Sequence, residues 1–179
     1  MPLLCAAGVG AVAADTVSDV GASHDKGVYF LDLDVEVKAR ADRVHELIGD
    51  IEGLYRLSSA IEESTRLESG ITGVARRRLL LRTCLLFYCF HAELVEDLHY
   101  VGTDTIIAEV VPGLGQFSSG HTQWQVSATG ADSTRIRLRS TLKPAFWVPP
   151  VIGPWVMKRR LVSAATETAR RIEQLAVDG

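Results

Sequence analysis

Residues 31–51 read LDLDVEVKARADRVHELIGDI, and their pattern decides how the fold begins. Apolar and charged residues alternate up to Lys38, which is the period of a strand with one buried face. The apolar residues from Val44 to Ile51 then recur at helical spacing. This change of period predicts a helix over residues 41–52 that ends near Gly53.

Strand signals then return in a regular series, separated by turn residues. Strands are predicted at residues 63–68, 74–83, 89–98, 105–111, 121–127 and 134–142. Their connections have hairpin length, so neighbouring strands should be antiparallel. Four prolines between 144 and 154 end the series, and the longest helical stretch, 151–176, closes the chain. We predict one α+β domain over residues 28–177, with a curved antiparallel sheet of seven strands around a long C-terminal helix.

Composition excludes several classes of protein. The chain has 179 residues, of which 47% are hydrophobic and 23% charged, as expected for one compact domain. Its net charge of −3 argues against nucleic acid as a partner. Because no P-loop, dinucleotide fingerprint or metal-ligand spacing occurs, we predict neither a cofactor nor a metal site.

The first 27 residues are predicted to be a signal peptide and a linker. Residues 3–14 are small and apolar and end in an Ala-x-Ala pattern at 11–13. No Lys or Arg precedes Lys26, so the positive segment of a signal peptide is missing and a disordered extension is the alternative. We therefore expect export, to the periplasm or outside the cell, with a cytoplasmic location as the alternative.

Cys84 and Cys89 are predicted to face each other across a hairpin. On one straight strand they would be about 16 Å apart and on opposite faces, too far to bond. The hairpin register then pairs Leu81 with Ala92, Leu79 with Leu94, Arg77 with Glu96 and Arg76 with Asp97. Because this register joins apolar to apolar residues and opposite charges to each other, it favours a disulfide. Two free thiols are the alternative.

The enclosed tip, Leu85, Leu86, Phe87 and Tyr88, is unusually apolar for a hairpin. An apolar tip left in water is rare, so we expect it to be covered. It could be the lip of a ligand cavity, a foot that contacts a membrane or a protein partner, or a segment packed beneath residues 144–154.

The order of these elements, together with particular motifs, resembles the START-like (SRPBCC) superfamily, and within it the polyketide cyclase/dehydrase and coenzyme Q-binding branch. The motifs that carry the resemblance are residues 35–39 and 44–52, PGLGQF at 112–117, HTQWQV at 121–126, 142–144, 152–154, and RRIEQLA at 170–176. The resemblance implies a helix-grip fold whose sheet and C-terminal helix enclose an apolar cavity for lipids, quinones or polycyclic compounds.

We accordingly predict that the protein binds or carries a hydrophobic small molecule. The candidate cavity residues are Leu79, Leu81, Phe90, Leu94, Trp124, Leu138, Trp155 and Val162. A cyclase or dehydratase would need polar groups inside, and the inward faces are expected to be nearly free of them. No catalytic residue is therefore predicted, although His121 and Glu109 are a conceivable acid/base pair.

A second alternative is an interaction module that uses the apolar tip. Peripheral membrane contact is also conceivable through the outer sheet face, where Arg135, Arg137 and Arg139 alternate on one strand. With Arg76 and Arg78 they are predicted to form either a solvated positive face or a site for anionic lipid headgroups or an acidic partner.

Overall fold

The computed structural model describes residues 17–85, 88–148 and 153–177. The strands over these ranges are β1 (Val17–Asp25), β2 (Val28–Val37), β3 (Ile61–Leu67), β4 (Ala75–Leu85), β5 (Tyr88–Val101), β6 (Thr105–Val110), β7 (Phe117–Gly130) and β8 (Ser133–Pro144). The helices are α1 (Ala41–Gly49), α2 (Gly153–Val177) and a 3₁₀ turn (Leu54–Arg56).

The eight described strands form one antiparallel sheet in the order β1-β2-β8-β7-β6-β5-β4-β3. The long helix α2 packs against β1, β2 and α1, and its buried residues belong to the same apolar cluster as those of the sheet. The predicted α+β class, the antiparallel sheet and the C-terminal helix are confirmed. The predicted number of seven strands is wrong, because the structure has an additional strand, β1, at the sheet edge.

β1 lies in the segment that was predicted to be a linker. It pairs with β2 through a turn at Lys26 and Gly27, which have φ angles of 46° and 82°. Its sequence shows little periodicity because an edge strand is held mainly by backbone hydrogen bonds, while Val20 and Ala22 pack against the core. The linker interpretation is therefore wrong for residues 17–25. The signal-peptide prediction concerns residues that the structure does not describe.

The β4–β5 hairpin has the predicted register. Its opposed pairs include Cys84 with Cys89, Leu81 with Ala92, Leu79 with Leu94, Arg77 with Glu96 and Arg76 with Asp97. The sulfur atoms of Cys84 and Cys89 are bonded. The predicted disulfide is therefore present, in place of the two free thiols.

The outer sheet face, which points away from α2, carries arginines and carboxylates in pairs. These pairs are Arg135–Asp34 (2.6 Å), Arg137–Asp34 (3.3 Å), Arg139–Asp32 (3.7 Å), Arg76–Asp97 (2.6 Å) and Arg78–Glu93 (3.1 Å). The prediction of a positive outer face is therefore wrong. Neighbouring strands place a carboxylate within 4 Å of each of these arginines, with Arg135 and Arg137 sharing Asp34, and so offset most of their charge.

The Arg76–Asp97 pair is well shielded, since both side chains are only 15% exposed. Two parallel hydrogen bonds, of 2.6 and 2.8 Å, run from the guanidinium to the carboxylate. These hydrogen bonds hold the pKa of Asp97 below its usual value. Hydrogen bonding from Arg135 lowers the pKa of Asp34 in the same way.

The lowered pKa of Asp97 predicts a pH-dependent stability. A carboxyl with a depressed folded-state pKa stabilises the fold above its unfolded-state pKa, near 4, and ceases to do so as the pH falls through the folded-state value. We expect Asp97→Asn to lower the free energy of unfolding by about 1–2 kcal/mol at neutral pH. Urea titrations should show this difference shrinking as the pH falls below about 4.

Glu52→Gln, at an exposed position next to the 3₁₀ turn, is the control and should change the free energy of unfolding far less than Asp97→Asn does at neutral pH. An Asp97→Asn deficit of the same size at acidic and neutral pH would contradict the prediction.

Candidate functional site

The inner sheet face, which points towards α2, carries most of the core. Leu33, Leu138 and Trp124 stand side by side in one row across β2, β8 and β7. Leu79 and Leu94 face each other across β4 and β5. Three of the predicted cavity residues, Leu79, Leu94 and Leu138, are buried in the main apolar cluster and fill the core.

Towards the β4–β5 turn the inner face is less completely covered. Leu81 and Phe90 are half-buried there, and the ring of Phe90 packs edge-on against Phe146 at 5.7 Å between centroids. Phe146 makes a similar contact with Phe117 at 5.9 Å. Trp124 is half-buried against the core. At Leu81 and Phe90, this end of the inner face therefore keeps some exposed apolar surface in the part of the chain that the structure describes.

The N-terminal half of α2 borders an open cleft of about 780 Å³. The cleft is lined by residues of α2 between Trp155 and Ser163, by Ala22 of β1 and by Cys84 of β4. Val162, a predicted cavity residue, is half-buried in this lining.

Trp155 also lines the cleft, but its residue is 58% exposed. The predicted inward position of Trp155 is therefore wrong. The reason is that the fully buried residues of α2 begin only at Ala165, so the first turns of the helix extend beyond its close packing on the sheet. A ligand-binding role for Trp155 stays a prediction.

The C-terminal half of α2 is held firmly in place. The carboxylate of Glu167 accepts hydrogen bonds from the side chain of Ser59, at 2.7 Å, and from its backbone N–H, at 3.3 Å. It also pairs with Arg171 at 2.6 Å. Burial by itself raises the pKa of Glu167, but the Ser59 hydrogen bonds and Arg171 outweigh it and lower the pKa. These contacts anchor α2 just beyond the part of the helix that borders the cleft.

A buried ion pair lies on the inner face between β4 and β5. Two guanidinium nitrogens of Arg77 lie 2.7 and 2.8 Å from one carboxylate oxygen of Glu96, and the residues are only 5% and 3% exposed. The expectation of an inner face nearly free of polar groups is therefore wrong. The signal was present in the sequence, because the alternation that points Leu79 and Leu81 inward also points Arg77 inward.

The inner face also carries a pair of hydroxyl side chains. The side-chain oxygens of Thr122 and Ser140 lie 2.7 Å apart, in a partly buried position. They stand in the same cross-strand row as the buried residues Leu31 and Ala108. Periodicity alone did not single them out, since hydroxyl residues are common on both faces of strands.

His121 and Glu109 do not meet inside the fold. They are opposed residues of β7 and β6, with the histidine Nδ1 3.5 Å from a carboxylate oxygen, and both side chains are about half exposed. The pair lies on the outer face, because the inward positions of these strands are those of Thr122 and Ala108. An acid/base role for the pair would therefore act in open solvent, away from the cleft.

The predicted roles of the hairpin tip, as a lip of the cavity, a foot or a segment beneath residues 144–154, concern residues that are largely not described. Leu86 and Phe87 lie outside the described residues, as do the side chains of Leu85 and Tyr88.

The loop 111–116 lies beside β5 at Glu93 and Val95, where the neighbouring strand β6 has already ended. The backbone N–H of Gln116 donates to the carbonyl of Glu93 at 2.8 Å, and the carbonyl of Gln116 accepts from Ala145 at 2.9 Å. The side-chain amide oxygen of Gln116 accepts from the N–H of Glu93. Gly115 permits this approach, because a Cβ there would lie 2.6 Å from the Glu93 carbonyl oxygen. Gln116 therefore bridges β5 to the end of β8.

No protein-family model matches the sequence, and no curated protein matches it significantly. Solved structures do match. The Zhui aromatase/cyclase from a Streptomyces species is 14% identical, with 84% of this chain and 94% of that chain covered and a TM-score of 0.68. A START superfamily protein from Mycobacterium smegmatis is 18% identical, with 82% and 98% covered and a TM-score of 0.61. Human STARD10 is 12% identical, with 89% and 73% covered and a TM-score of 0.64.

These likenesses, at low sequence identity, establish the fold. The protein is an α+β helix-grip domain, in which one long helix lies across an antiparallel sheet. More particularly, its fold is START-like, so the resemblance read from the sequence motifs is confirmed at the level of the fold.

The buried ion pair makes a prediction about stability. Arg77→Leu would leave the charge of Glu96 buried without a partner, and we expect a loss of about 3–5 kcal/mol in the free energy of unfolding. The double substitution Arg77→Leu/Glu96→Leu removes both charges and should recover most of that loss. Urea denaturation of both variants measures the difference. A double variant as unstable as the single one would contradict this account.

Proposed function

We propose that the protein binds and carries a hydrophobic small molecule in the cleft beneath α2. The observation that carries this proposal is an open cleft of about 780 Å³ at the end of the inner face where apolar side chains remain half-buried. Its volume lies within the range of about 300–1,000 Å³ that is usual for small-molecule sites. Ala22, Val156 and Val162 of the lining offer apolar contacts, and Leu81 and Phe90 lie half-buried at the same end of the inner face.

The affinity would come from removing apolar ligand surface from water, at about 25 cal/mol per Å². The cleft lining combines the apolar residues Ala22, Trp155, Val156 and Val162 with the cations Lys158, Arg159 and Arg160. Its apolar part suits a compact apolar body, such as an acyl chain, a quinone-like ring or a polycyclic skeleton. The half-buried Trp124 provides a further flat surface on the same face of the sheet.

The disulfide supports export as part of this proposal. Disulfides form and persist in oxidising compartments and are rare in the cytosol. A carrier with an oxidised Cys84–Cys89 pair would therefore act in the periplasm or outside the cell.

Native mass spectrometry of the protein purified from its own compartment, followed by denaturing extraction, should detect and identify a stoichiometric hydrophobic ligand. Val162→Arg places a charge in the cleft lining and should weaken binding of that ligand at least about tenfold, since burying an unpaired charge is costly. Ile71→Arg, at a residue 55% exposed outside the cleft, is the matched control and should bind normally.

The proposal fails if the protein is empty after purification and stays empty after incubation with a panel of fatty acids, phospholipids, quinones and polycyclic aromatics. It also fails if Val162→Arg, shown to be folded by circular dichroism, binds the ligand as tightly as the unaltered protein.

The polar groups of the inner face favour a second candidate, an enzyme of the polyketide cyclase/dehydratase type. Thr122 and Ser140 offer hydroxyl groups on the face that would contact a substrate. One of the structures similar in fold is described as an aromatase/cyclase. In this role the hydroxyl pair would hold a substrate carbonyl in place.

An activity assay distinguishes the carrier function from the enzyme function. The protein is incubated with a poly-β-ketone thioester, and the products are analysed by mass spectrometry. The carrier returns the compound unchanged. An enzyme forms cyclised or dehydrated product, and the double substitution Thr122→Val/Ser140→Ala abolishes that product while Ser127→Ala, an exposed hydroxyl on β7, does not.

A further inference from the structure

Two tryptophans are conspicuously exposed. Trp147 is 79% and Trp155 58% exposed, more than any other large hydrophobic residue in the described parts of the chain. Leaving two indoles in water forgoes a large favourable burial. Tryptophan is also enriched at membrane–water interfaces, where its apolar ring and its N–H group are both accommodated.

Both tryptophans lie at the hairpin end of the sheet. Trp147 follows Phe146, whose ring contacts Phe90 of β5 just after the disulfide. Trp155 lines the cleft together with Cys84. Arg160 ties the same part of α2 to the hairpin, because its guanidinium donates to the carbonyl of Cys84 at 3.2 Å.

The surroundings of these tryptophans are cationic. Lys158, Arg159 and Arg160 follow Trp155 on α2, and no Asp or Glu occurs anywhere between residues 141 and 166. Arg159 stacks on the ring of Trp155 at 4.8 Å from its centroid, and both residues are exposed. On the outer sheet face, by contrast, neighbouring carboxylates offset most of the charge of the arginines. Positive charge is therefore concentrated at the end that carries the exposed indoles.

We propose that this aromatic–cationic end, formed by Trp147, Trp155, Lys158, Arg159 and Arg160, docks on anionic lipid bilayers. The indole rings would enter the interfacial region of the bilayer, and the three cations would be attracted by the anionic headgroups. The two contributions act on the same membrane surface and add to the affinity. The contact is peripheral, since no helix in the described residues has the length and apolarity to cross a membrane. It would set the open cleft against the bilayer surface.

The test is flotation of the full-length protein with vesicles. Vesicles of phosphatidylcholine containing about 30 mol% phosphatidylglycerol should bind the protein, and pure phosphatidylcholine vesicles should bind it far less. Salt of about 0.5 M should release it, because it screens the charges at distances beyond a few ångströms. Lys158→Gln/Arg159→Gln should weaken the binding about 30-fold, as expected for two cations near an anionic surface.

Arg137→Gln/Arg139→Gln removes the same charge from the outer face and is the matched control for the cations. Trp147→Ala/Trp155→Ala should weaken vesicle binding at least about tenfold, whereas Tyr55→Ala, at a residue 49% exposed, should not. The proposal is overturned if no vesicle binds the protein, or if the outer-face control weakens binding as much as the patch variants do.

A patch-dependent self-association in analytical ultracentrifugation without any vesicle binding would also overturn the proposal, and would assign this end to a second copy of the chain. The vesicle assay needs no identified cleft ligand. Trp155, Lys158, Arg159 and Arg160 also line the cleft, whereas Trp147 does not. The single variant Trp147→Ala therefore tests the docking alone: it should weaken vesicle binding and leave binding of the cleft ligand unchanged, whereas Val162→Arg tests the cleft.

Discussion

The pairing of β4 with β5 is the constraint on which the inner face depends. In the observed register Arg77 meets Glu96 and Leu79 meets Leu94. A slip of one residue would turn the apolar residues of one strand to the wrong face. A slip of two would place Arg77 opposite Leu98 and Glu96 opposite Leu79, leaving two buried charges without partners. The ion pair therefore makes alternative registers costly, whatever its net contribution to stability.

Much of this arrangement was predictable from the sequence, because strands with one buried face carry a period of two and turns interrupt it. The register of the β4–β5 hairpin was predicted by pairing cysteine with cysteine, leucine with leucine and arginine with carboxylate across the two strands. The fold was predicted from the order of strands and helices along the chain. β1 was not predicted, because its sequence lacks this period of two. An edge strand buries little, so Val17–Asp25 shows no strong alternation, and its best signal was the turn formed by Lys26 and Gly27.

The candidate site was less predictable than the fold. Periodicity tells which residues point inward, but not how far along the inner face α2 packs closely. Leu79 and Leu94 are core and Leu81 is half-exposed, although all three have the same pattern in sequence. Likewise, the alternating arginines of the outer face predicted a positive surface. In the structure, carboxylates of neighbouring strands lie beside them. Both differences depend on contacts between distant segments, which a local pattern does not encode.

The bridge made by Gln116 has a mechanical consequence for the cleft. Near the α1 end, β5 is joined to β6 by a regular ladder, whereas at the hairpin end it meets the loop 111–116 through a few bonds centred on Gln116. α2, in contrast, is anchored through Glu167 and packs on β1 and β2. Cys84 of β4 lines the cleft, so the cleft is bordered on this side by a hairpin that only a few hydrogen bonds join to the loop 111–116. A change in cleft width at Cys84 would therefore break few bonds between β5 and this loop, while the disulfide would keep β4 and β5 joined to each other.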